Sequence, residues 1–190
     1  LNRVFHDDPD FRHAAANWAR EEVQHGDALG RWACLADPGW DYEAAFERFR
    51  AGYQLPLDAE ASVRGSRTGE LIARCMVETG TSSYYTALAE ATEEPVLKQV
   101  CKLIAADEYR HYKLFYDLQK AQPDPELGFW RKLAIAVGRV RESDDDELAY
   151  SYYCANVPAE KEAAVPYSRK KFSRLASKAS MSAYHRKHIE

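Results

Sequence analysis

The 190-residue chain has no Cys-x-x-Cys pair, and its four cysteines, Cys34, Cys75, Cys101 and Cys154, lie far apart. That excludes the common zinc-ribbon and rubredoxin spacings and favours free thiols in a reducing cytoplasm. Long apolar runs are missing too. The longest aliphatic stretch is Leu133 to Val137 and no charged-then-apolar leader opens the chain, so neither membrane insertion nor export is expected. There is no basic excess: 26 Lys and Arg against 30 Asp and Glu leave a net charge of −4, which argues against a nucleic-acid partner. Period-two alternation rich in Val, Ile and Thr is almost absent, so no strand is predicted. Nine glycines and eight prolines are few for this length and gather at Pro38-Gly39, Gly52 to Pro56, Pro95, Pro123 to Pro125 and Pro158 to Pro166. Long breaker-free stretches lie between them.

What fills those stretches is helical periodicity. Phe11, Ala15, Trp18, Glu22, His25, Leu29, Trp32 and Ala36 follow in steps of four and three, which is one face of one helix. Leu71, Cys75, Glu78, Ser82, Tyr85 and Ala89 form a second such seam, and Leu97, Cys101, Ile104, Glu108, His111, Phe115 and Leu118 a third. The third helix should begin at Pro95, whose fixed φ suits a first helical position, and stop before Pro123. Tyr42 to Tyr53 reads as a shorter amphipathic helix. Beyond it come helices near Phe129 to Arg141 and Glu147 to Asn156, separated by an acidic break at Asp144 to Glu147, and a basic terminal helix from Ser168. The expected fold is all-α, with a bundle domain over 1–125 and a C-terminal helical extension packed on it over 126–190.

Each seam is interrupted by ionisable groups at its middle. Burying an unpaired charge costs several kcal/mol, so five such residues at core depth need a common explanation. Glu22-Val-Gln-His25 and Glu108-Tyr-Arg-His111 each place a carboxylate and an imidazole one turn apart on one helix face, where both can reach one metal centre. Glu78 offers a further carboxylate from a third helix. Two Glu-x-x-His strings alone are only mildly surprising in this composition. Their joint placement with Glu78 on the inward register of three helices is the stronger signal. Carboxylate oxygens with one imidazole per metal suit iron or manganese and are poor for copper(I).

The strings Trp18-Ala-Arg-Glu-Glu22-Val-Gln-His25-Gly-Asp27, Glu78-Thr-Gly-Thr81 and Ile104-Ala-Ala-Asp107-Glu108-Tyr-Arg110-His111 resemble the metal-binding helices of soluble acyl-carrier-protein desaturases, in the ferritin-like superfamily. The resemblance covers about residues 11 to 120. It implies two iron ions held by Glu22, His25, Glu78, Glu108 and His111, which activate dioxygen with two electrons from a ferredoxin-type donor. The substrate it implies is apolar, such as a fatty-acyl chain on a carrier protein, with a desaturase-like or hydroxylase-like outcome. It also makes Thr81 a candidate for handling protons and Asp107 a partner for an imidazole. Asp107 and Arg110 together could hold a histidine tautomer and a ligating carboxylate.

The departure from that family is a fourth Glu from a preceding bundle helix, which this chain lacks. Three carboxylates against two Fe²⁺ leave a charge of +1, so one more carboxylate is required. Residue 1 is Leu, and a segment upstream of it is expected to supply that group; otherwise Glu142, Glu147 or a partner subunit must do so. If the site is half-formed, the iron on Glu78, Glu108 and His111 should be the better held. Ferritin-like or rubrerythrin-like iron or peroxide handling is the alternative, and a metal-free helical interaction module docking through Arg169, Lys170, Lys171, Arg174, Lys178, Arg186 and Lys187 is a third reading. A homodimer is expected. Trp18, Trp32, Tyr84, Tyr85, Tyr109, Tyr112 and Tyr116 are read as core or interface aromatics, and Cys75 and Cys101 as small buried hydrophobes.

Overall fold

The computed structural model describes residues 1, 3–54, 61–123, 125–142 and 146–188. Among them the protein is an all-α helical bundle: α1 (Pro9–Ala36), α2 (Tyr42–Gly52), α3 (Arg67–Ala91), α4 (Pro95–Ala121), α5 (Phe129–Glu142), α6 (Asp146–Asn156) and α7 (Arg169–His188), with one 3₁₀ turn at Ala159–Lys161. The acidic break expected at Asp144 lies outside the described residues apart from its end, which opens α6.

Local chemistry sets the helix starts. Asp8 accepts from the Phe11 N–H at 2.8 Å ahead of Pro9, and Asp41 from the Ala44 N–H at 3.0 Å, each quenching an orphan donor of the first turn. Ser66 does the same for α3, accepting from the Gly69 N–H at 3.0 Å, and Gly65 supplies the turn before it at φ +84°. Glu94 caps α4, accepting from the N–H groups of Val96 and Leu97, with Pro95 at the first helical position.

The same Glu94 carboxylate accepts from the Trp32 indole at 2.7 Å, which pins the end of α1 to the beginning of α4. Further along, His25 meets Asp107, His111 meets Glu21, and Trp18 packs edge-on against Phe115 at 5.5 Å. Residue numbers fall on one helix as they rise on the other, so α1 and α4 run antiparallel in a fixed register. That register lays the centre of the first seam against the centre of the third. Helix α3 packs along α4, and Phe5, Phe11, Ala15, Leu71 and Phe115 close one end of the bundle beneath the charged layer. Leu29, Trp32, Tyr85, Ala89, Leu97 and Cys101 close the other.

The later helices brace this core. Helices α5 and α7 pack on α3, while α6 packs on α2 and α7. Arg48 of α2 donates to the carbonyls of Cys154 and Val157 at the end of α6, and Trp40 to that of Ala155. Helix α5 is turned inside out: Ile135 is its buried apolar residue, whereas Phe129 and Trp130 are 68% and 77% exposed and Leu133, Val137 and Val140 share their outward stripe. The basic side chains of α7 described, Arg169, Lys170, Lys171, Arg174 and Lys178, are exposed, while Phe172 and Ala176 are buried. No described helix is long and apolar enough to cross a membrane.

Candidate metal centre

The antiparallel register gives the two Glu-x-x-His strings an approximate two-fold relation across the α1–α4 contact. Each histidine turns Nδ1 inward and Nε2 outward. His25 Nδ1 lies 3.3 Å from Glu108 Oε1 and 3.7 Å from Glu22 Oε2; His111 Nδ1 lies 3.3 Å from Glu22 Oε1 and 3.8 Å from Glu108 Oε2. The rings stand 5.8 Å apart. Outward, His25 Nε2 is 3.1 Å from Asp107 Oδ2 and His111 Nε2 is 2.7 Å from Glu21 Oε2. Each string therefore lends the acid just before its own glutamate to the other string's histidine.

Glu78 enters from α3 on one side only, with Oε2 3.7 Å from His111 Nδ1. One ligand atom from each of Glu22, Glu78, Glu108 and His111 can be chosen so that all four lie within 4.8 Å of one another. This group contains the trio expected to form the better-held half, joined by Glu22. His25 borders it through Glu22 and Glu108. Its inward partners among the described residues come from α1 and α4 alone, so the position related to Glu78 by the local two-fold carries no third-helix carboxylate. Glu142 does not fill it, because its carboxylate is paired with Arg64 where α3 begins, and Glu147 lines a cavity between helices.

The donor set fits a cation. His25 Nδ1, His111 Nδ1 and Glu78 Oε1 are buried with no hydrogen-bond partner, and such orphans are costly unless something ligates them. With Nε2–H donated to an outer carboxylate, loss of the second proton leaves each Nδ1 with a lone pair toward the centre, the tautomer a ligand needs. The ion-free electrostatics show how strongly positive charge is wanted there. Burial opposes the charged form of His25, but Glu108, Glu22 and Asp107 outweigh it and lift its pKa to about 10. For His111 the carboxylates of Glu108, Glu22, Glu78 and Glu21 overcome the same opposition and lift it to about 12. Burial raises Glu78 to about 7, whereas Glu108, although burial works against it, is held far below the usual carboxylate range by both imidazoles, Glu78 and Thr81. Glu22 is also lowered, its contacts with His111 and His25 exceeding its desolvation.

Of the two residues expected to do more than ligate, Thr81 has its hydroxyl 2.8 Å from Glu108 Oε2 and 3.1 Å from the carbonyls of Val77 and Glu78. It can donate to only one of these at a time, so the proton has a choice between the carboxylate and the helix backbone. Asp107 touches His25 and Arg110. Arg110 differs from expectation: it bridges the two outer acids, Asp107 and Glu21, and holds no inward carboxylate. Glu21 is the residue that sequence reasoning missed. Its signal was present as the acid at the same offset as Asp107 in the other string.

A cavity of about 820 Å³ adjoins the centre, lined from α1, the α1–α2 connection, α2, α3, α5 and α6. Thr81 lies on both, lining the cavity and bonding Glu108. Among the aromatics expected in the core or at an interface, Tyr109 and Tyr116 stand at the surface, stacked with Tyr112 along the outer face of α4. Cys101 is buried, and burial together with nearby Glu78 lifts the Cys75 thiol to about 11, which leaves it inert. Comparison with known proteins gives no match: no family model, no curated protein and no solved structure corresponds to the chain.

Proposed function

We propose that the protein is a non-haem di-iron oxidoreductase of the ferritin-like kind, using dioxygen to oxidise an organic molecule held in the cavity beside Thr81. The observation that carries this reading is the convergence of two orphaned imidazole Nδ1 atoms and the orphaned Glu78 Oε1 on the carboxylates of Glu22 and Glu108. Hard oxygen donors with one imidazole on each side favour iron, with manganese next. Iron bound there would supply the redox chemistry with dioxygen, drawing electrons from a ferredoxin-type donor. The chain's own groups have separate tasks. Glu22, Glu78, Glu108, His25 and His111 bind; Asp107 and Glu21 fix the imidazole tautomers; Thr81 holds a proton between Glu108 and the cavity. The first iron belongs on Glu78, Glu108 and His111, and the side of His25 is the weaker.

Iron or peroxide handling is the second reading, favoured by the exposure of Glu22, whose side chain is 35% accessible and leaves an edge open to small ions. Anaerobic loading with Fe²⁺, followed by an elemental count, tests the centre. One to about two irons per chain are expected from the two-string donor set, and none in Glu108→Ala, because Glu108 touches both histidines. Equal iron in that variant, or no bound iron at all, overturns the proposal. Addition of dioxygen then separates the readings: ferric mineral formation supports iron handling, and oxidation confined to the bound ions supports the oxidoreductase.

A further inference from the structure

Helix α5 carries more apolar surface than its own chain uses. Among the described elements it packs on α3 alone, with Ile135 buried against it. Trp130, Leu133, Val137 and Val140 face outward, between 41% and 77% exposed. They follow in steps of three, four and three, the spacing of a coiled-coil seam, which is the narrow stripe that one helix offers another. Ala134 and Ala136 flank this stripe on its two sides, neither of them buried, and side chains so small let a second helix come close.

Charge indicates what covers the stripe. Residues 129–138 hold Arg131 and Lys132 and no acid, whereas residues 139–147 hold Arg139 and Arg141 against Glu142, Asp144, Asp145, Asp146 and Glu147. The stripe therefore runs from a positive end to a negative one. An anionic lipid surface would attract the first end and repel the second. A second copy lying antiparallel meets each end with the opposite sign, twice by symmetry, and the two helix dipoles agree with that direction. Lys132 also pairs with Glu126, and Glu142 with Arg64, within one copy. Charge between copies thus sets the direction, while the apolar seam supplies the affinity.

We propose that the outward stripe of α5 is an isologous interface through which two copies of this chain pair, their α5 helices antiparallel. Centring the pair between Ala134 and Ala136 sets Leu133 opposite Val137 of the partner subunit and Trp130 opposite Val140 of the partner subunit. Val140 and Leu148 are exposed and also line the cavity beside Thr81, so the partner's Trp130 comes to lie over that edge of the cavity and covers it. The pairing is independent of the di-iron reading; that the covered cavity holds a reactant rests on it.

Sedimentation equilibrium of the full chain, iron-free and iron-loaded, tests the pairing. A dimer with a dissociation constant of about micromolar order is expected, since one helix pair is a small interface. Leu133→Lys sets unpaired charge inside the seam and should weaken the dimer by about 100-fold, as should Val137→Glu. Circular dichroism and iron uptake should not change, because both side chains point away from the chain's own core. Mixed in equal amounts, the two variants should pair again, because the antiparallel register brings the substituted positions together with opposite charge. Tryptophan emission should shift to the blue on dimerisation as the exposed Trp130 is covered, and Trp130→Phe should abolish the shift. A monomer at every concentration, whether or not it binds phosphatidylglycerol vesicles, overturns the proposal, and so does a dimer indifferent to Leu133→Lys. Variants that stay monomeric when mixed overturn the antiparallel register. A dimer that takes up no iron would retain this interface and remove the di-iron reading, and a monomer that binds iron would do the reverse.

Discussion

The two sides of the charged layer are built on opposite principles. Towards the α1–α4 contact, both outward histidine nitrogens are held: Asp107 and Glu21 each take a histidine Nε2, and Arg110 bridges the two acids. Towards α1, α2 and α3, the layer adjoins aromatic rings around open space, touching it through Thr81. The first side orients donors and gives a small molecule little room. The second gives room and holds no ligand atom of the layer. Under the proposed function a centre that keeps metal while admitting a reactant would need both, with retention falling to the acids and access to the rings. This division also predicts that perturbations of the two sides fall on different observables.

The largest separation should come from pH. In the ion-free protein, His25 at about 10 and His111 at about 12 both carry protons at neutrality, under the influence of Glu22 and Glu21 on α1, Glu78 on α3, and Asp107 and Glu108 on α4. Filling both sides of the centre must displace both, so the combined affinity for two Fe²⁺ or Mn²⁺ ions should climb at least about 100-fold per pH unit near neutrality, with about two protons released per chain from the imidazoles and a further fraction from Glu78. Chelator competition at several pH values, with proton release in weak buffer, measures this. A tenfold slope would mean that one imidazole is already neutral, and no slope that both are. Stability of the ion-free form should move the other way. Histidine pKa values raised above their ordinary 6.5 add stability that is full below that pH and lost on rising through about 10, and Glu78, raised from 4.5 to about 7, loses its share over that lower range.

A smaller effect should come from breaking the outward clamp. Asp107→Asn and Glu21→Gln each replace a charged acceptor with a neutral one, and loss of such partners lowers metal affinity by about 10- to 100-fold. Arg110→Ala should cost less, since the acid–imidazole contacts survive it and Arg110 is itself 59% exposed. Chelator competition ranks the three. A larger loss from Arg110 than from either acid would contradict the assignment of tautomer control to the acids.

Much of this division was legible in the sequence, and the parts that were not have physical reasons. Helix seams sort inward from outward residues by period alone, so Glu78, Glu108, His25 and His111 could be placed at core depth before any contact was known. Pairing between helices depends on register, which for α1 and α4 is fixed by contacts such as Trp32 with Glu94 and Trp18 with Phe115. Glu21 therefore read as a surface acid beside Glu22 until the antiparallel register brought His111 to it. Thr81 was singled out by resemblance, and its bond to Glu108 follows from helix geometry, three residues beyond Glu78 on a face turned to α4. The cavity was invisible because its rings come from segments distant in sequence. The inverted face of α5 was likewise unreadable, since periodicity reports a stripe without saying whether it faces core or solvent.

The smallest predicted effect isolates the open side. Gly80 sits inside α3, exposed, with no atom near the place a Cβ would occupy. Glycine in a helix interior costs about 0.5–1 kcal/mol relative to alanine, through the backbone freedom it loses on folding. Gly80→Ala should therefore stabilise the protein by about that amount in urea unfolding, with unchanged metal affinity, because a methyl group there reaches neither Glu78 nor Thr81's hydroxyl contacts. A loss of metal affinity in this variant would show that the rings and the donors are not independent, and that the backbone at Gly80 must yield for the centre to form. Stabilisation without such loss would mean that the donors form independently of the backbone freedom at Gly80, and that the glycine costs its helix stability without serving the centre.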